Sequence, residues 1–237
     1  MADLTRIIIY SFLSGSTIFF GAILSHYFGD HVKAGLIKAE IIHLSIAFGG
    51  GILMAAVGLV LVPEGMEVLP LAPILLCFAV GTVTFFYIDR FMEKRGGTMA
   101  QLLGMLTDFI PESIAMGAVF SQNIKLGILL AIIMGIQNLP ESFNAYLDLK
   151  SSLSPRKGLF IFFLLSFTGV ISALTGFYLL ADMPKTVGGL MLFAGGGVTY
   201  LIFQDIAPMS KLKKNWIPAL GASLGFLVGM VGVKVLG

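Results

Sequence analysis

The chain has 237 residues, of which 57% are hydrophobic and only 12% are charged, and its mean hydropathy is +0.96. Soluble globular domains carry roughly 25% charged residues, so this composition excludes that class and indicates an integral membrane protein. A net charge of +2 and a single cysteine, Cys77, argue against a nucleic-acid partner and exclude both a disulfide framework and a thiolate metal site.

Eight apolar runs divide the chain. A bilayer core about 30 Å thick requires about 20 apolar residues in each helical span. The runs cover residues 4–28, 41–62, 71–88, 99–120, 124–147, 158–181, 187–209 and 216–236. Strands of a β-barrel would be about 10 residues long with alternating polarity, which these runs lack. We therefore predict an all-α integral membrane protein in which residues 1–237 form a single transmembrane domain surrounded by lipid.

The basic residues predict how the spans are oriented. Eleven of the fifteen Lys and Arg residues lie in or beside loops one, three, five and seven. These eleven are Lys33, Lys38, Arg90, Lys94, Arg95, Lys150, Arg156, Lys157, Lys211, Lys213 and Lys214. By the positive-inside rule, the odd-numbered loops face the cytoplasm and both termini lie outside it. We expect the cell membrane, plasma or inner, as the location.

Two glycine-rich stretches resemble each other. AFGGGILMAAVGLVLVPEG covers residues 47–65 and FAGGGVTYLIFQDIAP covers residues 193–208, and each has three glycines ahead of a polar-proline exit. They lie in the second and seventh spans, which cross in opposite directions. Related spans of opposite direction are typical of the inverted repeats of secondary transporters. Glycine triplets that merely allow close helix packing are the alternative.

The fourth and fifth spans each contain a Pro-Glu-Ser triplet with a polar residue four positions before the Glu. The stretches are LTDFIPESIAMG, residues 106–117, and GIQNLPESFNAY, residues 135–146. The prolines, Pro111 and Pro140, each remove a helical hydrogen bond, so we expect them to kink the two helices. Freed backbone carbonyls are tolerated in a membrane only where protein or a cavity satisfies them.

Depth counting pairs the polar residues of the two spans. A tight turn near residue 124 makes the spans antiparallel, so Glu112 and Gln137 lie at matched depths, as do Asp108 and Glu141. The spacing of four places both polar residues of each span on one helix face. The four side chains are therefore expected to converge.

The energy of burying carboxylates in a bilayer favours a bound cation there. A carboxylate at the bilayer centre costs about 2.5–3.5 kcal/mol by insertion scales, and adjacent carboxylates repel unless protons or a cation intervene. A dry, partly protonated packing network and a proton relay are the alternatives. The sequence has no His-Glu-x-x-His, no Gly-x-Ser-x-Gly and no paired cysteines, so we do not expect an enzyme.

These motifs resemble those of the ZIP (Zrt/Irt-like) family of divalent metal transporters. GIQNLPES resembles the fifth-helix signature Gln-Asn-x-Pro-Glu-Gly, and DFIPES resembles the fourth-helix signature His-Asn-x-Pro-Glu-Gly. The two glycine-rich stretches are similar to the family's second and seventh helices. The resemblance implies a bundle of three, two and three helices with an inverted repeat, a metal held between the fourth and fifth helices, and a homodimer. It implies Zn, Fe or Mn as the transported substrate, with no organic cofactor.

The chain departs from the family pattern at several positions. Asp108 stands in place of the family His and Phe109 in place of the following Asn, while Ser113 and Ser142 replace glycines. Gly169 stands where related members often carry a sixth-helix Glu. Because members with two adjacent metal positions use that Asn and that Glu, we expect a single ion here.

The expected metal ligands are Asp108, Glu112, Gln137 and Glu141. A ligand set made only of oxygen suits harder ions such as Mn(II) and Fe(II), whereas imidazole favours Zn. Zn also accepts carboxylates, so the three ions remain open.

Five further residues are candidate accessory ligands or pathway residues. Asn138 adjoins Gln137, and Gln204 with Asp205 replace the family's acidic pair near the end of the seventh span. His43 opens the second span, and Glu64 follows that span in an external loop. His43, Glu64 and Asp205 also have ordinary explanations, as an interfacial histidine, a polar loop residue and a helix-end carboxylate, respectively.

The resulting hypothesis is cation transport toward the cytoplasm by alternating access around one site in the middle of the membrane. A membrane scaffold or metal sensor of ZIP-like fold that does not transport is one alternative. A proton-coupled carrier of another solute is a second.

Overall fold

The computed structural model describes residues 2–32, 35–95, 100–150, 152–213 and 215–236. All regular secondary structure in these ranges is helical. Eight helices are long and apolar enough to cross a membrane. In chain order, the first to eighth helices are Ala2–His31, Leu36–Val68, Leu71–Arg95, Ala100–Phe120, Ile124–Leu149, Pro155–Leu180, Pro184–Ser210 and Ile217–Leu236. The eight predicted spans are thereby confirmed as eight helices.

Helix ends differ from the prediction where charged or proline residues follow an apolar run. The second helix continues to Val68, so Glu64 lies on a helix and not in the predicted loop. Pro63 lies within this continuous helix, two residues after the π-helical stretch Val57–Leu61 ends. The third helix likewise runs on to Arg95 through a polar stretch that was predicted to be a loop. Hydropathy marks the apolar length of a helix, whereas the helix itself extends further.

Three residues that enter the sequence predictions lie outside the described residues. They are Lys33 and Lys214, in the predicted first and seventh loops, and Met99, with which the predicted fourth span begins.

The second and seventh helices share the same irregularity. Each contains one five-residue π-helical stretch, Val57–Leu61 in the second helix and Ile202–Ile206 in the seventh. Each stretch begins six residues before a proline, Pro63 or Pro208. π-Helical stretches within α-helices occur frequently at functional sites. The likeness seen in sequence between the two helices therefore extends to their backbone.

The fourth and fifth helices are the centre of the packing. The first helix packs along the fifth, as the sixth packs along the fourth. The second helix packs along the eighth, as the third packs along the seventh. The second helix also contacts the fifth, and the seventh contacts the fourth, so these two helices stand beside the central pair.

Glycines bring the outer helices into backbone contact with the second and seventh. A Cβ atom at Gly51 would lie 2.0 Å from the carbonyl oxygen of Ala222, and one at Gly196 would lie 2.2 Å from that of Phe78. Because a backbone carbonyl cannot move aside as a side chain can, no larger residue fits at either position. Both glycine triplets thus serve close helix packing.

Apolar side chains fill the central pair toward the turn that joins its two helices. Met116 and Phe120 of the fourth helix are fully buried, as are Leu129 and Met134 of the fifth. Polar residues lie on the other side of this packed zone, toward the end of the bundle that carries the odd-numbered loops. We call that end the odd-loop end.

Candidate functional site

Glu112 and Gln137 form a hydrogen bond between the two central helices. Gln137 Nε2 donates to Glu112 Oε2 over 2.8 Å. The side chains are only 2% and 1% exposed, and the Oε1 atom of each has no hydrogen-bond partner. The contact agrees with the depth count, which placed these residues opposite each other.

Asp108 and Glu141 lie one helical turn nearer the odd-loop end and line one cavity of about 290 Å³. Asp108 Oδ1 accepts a hydrogen bond from the backbone N–H of Phe109 at 2.8 Å. Both carboxylate oxygens of Glu141 are buried without a partner. The charges of Asp108 and Glu112 act on Glu141, so the three carboxylates form one electrostatic cluster.

The cavity lies among the second, third, fourth, fifth and seventh helices. It extends from Asp108 and Glu141 to Glu93 and Met209, which are exposed at the odd-loop end. Glu112 and Gln137 do not line it. This cavity therefore meets the cluster on its Asp108 and Glu141 side, from the odd-loop end.

The cavity is negative in character. Among the described residues that line it, none is Lys, Arg or His. Its acidic residues are Asp89, Glu93, Asp108, Glu141 and Asp205. Carboxylates in such a site require protons or a mobile cation, because the protein supplies no counter-charge from the lining.

The predicted ligands are not arranged as a closed coordination shell. Across the residues that the structure describes, His, Cys, Asp and Glu side chains nowhere gather in a group of three or more with metal-binding geometry. Glu112 is instead engaged by Gln137, while Asp108 and Glu141 face the cavity. The four-residue ligand set remains a prediction.

The seventh and third helices add a second acidic group nearer the cavity mouth. Gln204 and Asp205 line the cavity from the π-helical stretch of the seventh helix. The charges of Asp89 and Glu93 act on Asp205, and Tyr200 donates its hydroxyl to Asp89 Oδ2 at 2.8 Å. Sequence reasoning missed both third-helix carboxylates because it ended that span at residue 88. Their spacing of four, which places them on one helix face, was the available signal.

Three accessory candidates lie elsewhere. Asn138 is directed toward the first helix, with its Nδ2 atom 3.5 Å from the carbonyl oxygen of Ser14. His43 uses its Nδ1 atom in a 2.8 Å hydrogen bond with the carbonyl oxygen of Met209 and does not line the cavity. Glu64 lies toward the opposite end of the second helix from the cavity.

An aromatic ring fills the space beside Asp108. Phe109 is 1% exposed, and a Cβ atom added at Gly169 would lie 2.6 Å from its Cζ atom. Phe109 and Gly169 are thus packed against each other. The ring of Phe109 occupies space that is open because Gly169 has no side chain.

Asn144 was not singled out in the sequence, although it follows Glu141 by three residues and so shares its helix face. It lines the cavity, and its Nδ2 atom donates to the carbonyl oxygen of Pro140 at 2.8 Å. Its Oδ1 atom is buried without a partner.

The fifth helix is continuous through Pro140, as the fourth is through Pro111.

No protein-family model matches the chain, and no curated protein matches it significantly.

Proposed function

We propose that the protein carries a divalent metal cation, Zn, Fe or Mn, across the membrane toward the cytoplasm. The observation that carries this proposal is the cluster of Asp108, Glu112 and Glu141 between the central helices. Asp108 and Glu112 are buried, as are both carboxylate oxygens of Glu141, and Asp108 and Glu141 line a cavity whose described lining has no basic side chain. A divalent cation offsets two of these charges and provides a partner for oxygens that have none. Gln137 would contribute its free Oε1 atom.

The proposed transport mechanism is alternating access. The helix contacts repeat, since the first helix meets the fifth as the sixth meets the fourth, and the second meets the eighth as the seventh meets the third. The matched π-helical stretches also relate the second helix to the seventh. Both features support an inverted repeat in which two groups of three helices move about the central pair. By the positive-inside rule, the basic residues of the odd-numbered loops support a cavity mouth on the cytoplasmic side.

The proposed stoichiometry is one ion per chain. Phe109, whose ring carries no ligand atom, packs against Gly169, which has no side chain, and these are the positions at which the family resemblance implies ligands of a second adjacent ion. The ligands that remain are carboxylate and amide oxygens, which suit Mn(II) and Fe(II) better than Zn(II).

The test is uptake of Mn²⁺, Fe²⁺ and Zn²⁺ into proteoliposomes that contain the full chain. Glu141→Gln and Glu112→Gln keep side-chain size and remove one charge each, so we expect both to abolish uptake. Glu67→Gln is the matched control, because Glu67 is an exposed carboxylate on the second helix outside the cavity. Unchanged uptake in both site variants would refute the site.

The same experiment separates the alternatives. A parent protein that binds metal but does not move it would be a scaffold or sensor. A parent that moves protons with another solute, and no divalent ion, would be a carrier of a different class.

A further inference from the structure

We propose that Asn144 is a further ligand of the transported cation and that its neutral amide oxygen favours hard divalent ions, such as Mn²⁺, over Zn²⁺. This inference rests on the proposed transport of a divalent cation. It adds a ligand that extends the site toward the cavity mouth and bears on which ion is selected.

The orientation of the Asn144 amide is fixed by the backbone. Its Nδ2 atom donates to the carbonyl oxygen of Pro140 at 2.8 Å. A flipped amide would place its oxygen against that carbonyl oxygen, two acceptors with no hydrogen between them. The Oδ1 atom is therefore held away from the helix backbone, and it is buried with no hydrogen-bond donor.

Other side chains that line the same cavity are also acceptors. Glu141 precedes Asn144 by three residues on the same helix face, and both of its carboxylate oxygens lack a partner. Asp108, which is 3% exposed, lines the same cavity from the fourth helix. Buried acceptors cost free energy when they are unpaired. A divalent cation offers one partner to oxygens of all three side chains and offsets the carboxylate charge at the same time.

Deeper in the cluster, the same need for a cation recurs. Glu112 is 2% exposed and its Oε1 atom has no donor, although Gln137 occupies the other oxygen. An ion bound by Asp108, Glu141 and Asn144 would thus have the cavity mouth on one side and the unpartnered Oε1 atom of Glu112 on the other. Asn144 would meet the ion on the side from which it enters or leaves.

The chemistry of the amide oxygen bears on selectivity. It is a hard, neutral donor of the kind found in Mg²⁺, Ca²⁺ and Mn²⁺ sites, while Zn²⁺ gains more from nitrogen and sulfur. Removing it should therefore weaken Mn²⁺ binding more than Zn²⁺ binding. A carboxylate at the same position retains an oxygen and should restore Mn²⁺ binding.

A competing role makes the opposite prediction. If Glu141 is protonated and donates to Asn144 Oδ1, removal of the amide leaves that proton without its acceptor. The carboxyl group would then ionise more readily, and metal affinity would stay the same or increase. The direction of the change in affinity distinguishes a ligand from a proton acceptor.

The experiment is a titration of the purified full chain with Mn²⁺, in which electron paramagnetic resonance reports free Mn²⁺ and added Zn²⁺ measures competition. The variants are Asn144→Ala and Asn144→Asp. The control is Thr175→Ala, because the Thr175 hydroxyl donates to the carbonyl of Ile171 and lies outside the cavity lining. Thermal unfolding without metal shows whether each variant retains the fold.

We expect Asn144→Ala to bind Mn²⁺ about tenfold more weakly, at the lower end of the effects seen when groups that support a metal site are removed. Asn144→Asp and Thr175→Ala should bind close to the parent, and the preference for Mn²⁺ over Zn²⁺ should fall in Asn144→Ala alone. Equal or tighter Mn²⁺ binding by Asn144→Ala would overturn the inference while leaving the proposed function intact. Weak binding in both Asn144 variants would also overturn it, since it would indicate a packing role.

Failure of the proposed function appears differently. A parent that binds Mn²⁺ in this titration but transports no divalent ion in proteoliposomes refutes transport, whereas the Asn144 variants still test the ligand. A parent that binds no Mn²⁺ but takes up Zn²⁺ or Fe²⁺ overturns the Asn144 inference alone, and a parent that neither binds Mn²⁺ nor takes up any of the three ions refutes both proposals.

Discussion

Replacing Gly169 by alanine places a methyl group against the ring of Phe109. The new Cβ atom would lie 2.6 Å from Cζ and 3.2 Å from Cε1 of that ring. Carbon atoms pack best at about 3.5–4.0 Å, so the ring must retreat by about 1 Å. Phe109 is fully buried, so it has no open side toward which to move. Overpacking of this kind costs about 1–3 kcal/mol.

A matched variant removes the effect of helix propensity. Alanine is favoured over glycine in a helix by up to about 1 kcal/mol, and Gly169→Ala shares this gain with Gly189→Ala. Gly189 lies within an α-helical part of the seventh helix, and a Cβ atom added there would meet its nearest neighbour, Cys77 Sγ, at 3.4 Å, an ordinary van der Waals contact. The difference in stability between the two variants therefore isolates the clash and should be about 1–3 kcal/mol.

The assay is unfolding of both variants in detergent micelles, accompanied by Mn²⁺ titration. Mn²⁺ affinity should fall in Gly169→Ala, because the backbone N–H of Phe109 donates to Asp108 and a displaced ring shifts that bond. Adding Phe109→Leu should recover both properties, which a double-mutant cycle would record as coupling. Equal stability of Gly169→Ala and Gly189→Ala would refute the close packing of Phe109 against Gly169.

Two further outcomes are expected. Mn²⁺ affinity should fall as pH is lowered, since the carboxylates must be ionised to bind a metal and protons compete for them; an affinity that does not vary with pH would contradict a carboxylate site. Tyr200→Phe should destabilise the protein by about 0.5–1.5 kcal/mol in thermal unfolding, because it removes the hydroxyl donated to Asp89, whereas Tyr178→Phe, at an exposed position, should not. Equal unfolding temperatures for the two tyrosine variants would contradict that hydrogen bond.

Much of the fold could be predicted because hydropathy acts over whole helices. Eight apolar runs correspond to eight helices, and a tight turn between the fourth and fifth was sufficient to bring Glu112 opposite Gln137. The ends of the helices could not be predicted in the same way. The third helix continues to Arg95 because charged side chains beyond an apolar run do not break helical hydrogen bonds.

The central carboxylates of the candidate site could be predicted from the sequence, but some other residues that line its cavity could not. Asp108 and Glu141 stood out as carboxylates within apolar spans, whereas Asn144 is uncharged and Asp89 was assigned to a loop. Their roles depend on which helix faces meet, and those contacts are formed by residues distant in sequence. The direction of Asn138 toward the first helix is a second example, since helix periodicity alone gives no neighbour.

The opening of the cavity toward the odd-loop end has an electrical consequence. A cavity that reaches the carboxylate cluster from the odd-loop end would bring that end's potential to the cluster, so the transmembrane voltage would fall mainly across the packed zone around Met116, Phe120, Leu129 and Met134. A unit charge crossing the full voltage exchanges about 2.3 kcal/mol per 100 mV, which is about 4.6 kcal/mol for a divalent ion. In this conformation, binding of the ion from the odd-loop end should be nearly independent of voltage. Almost all of the electrical work would be done in the step in which the ion passes the packed apolar zone.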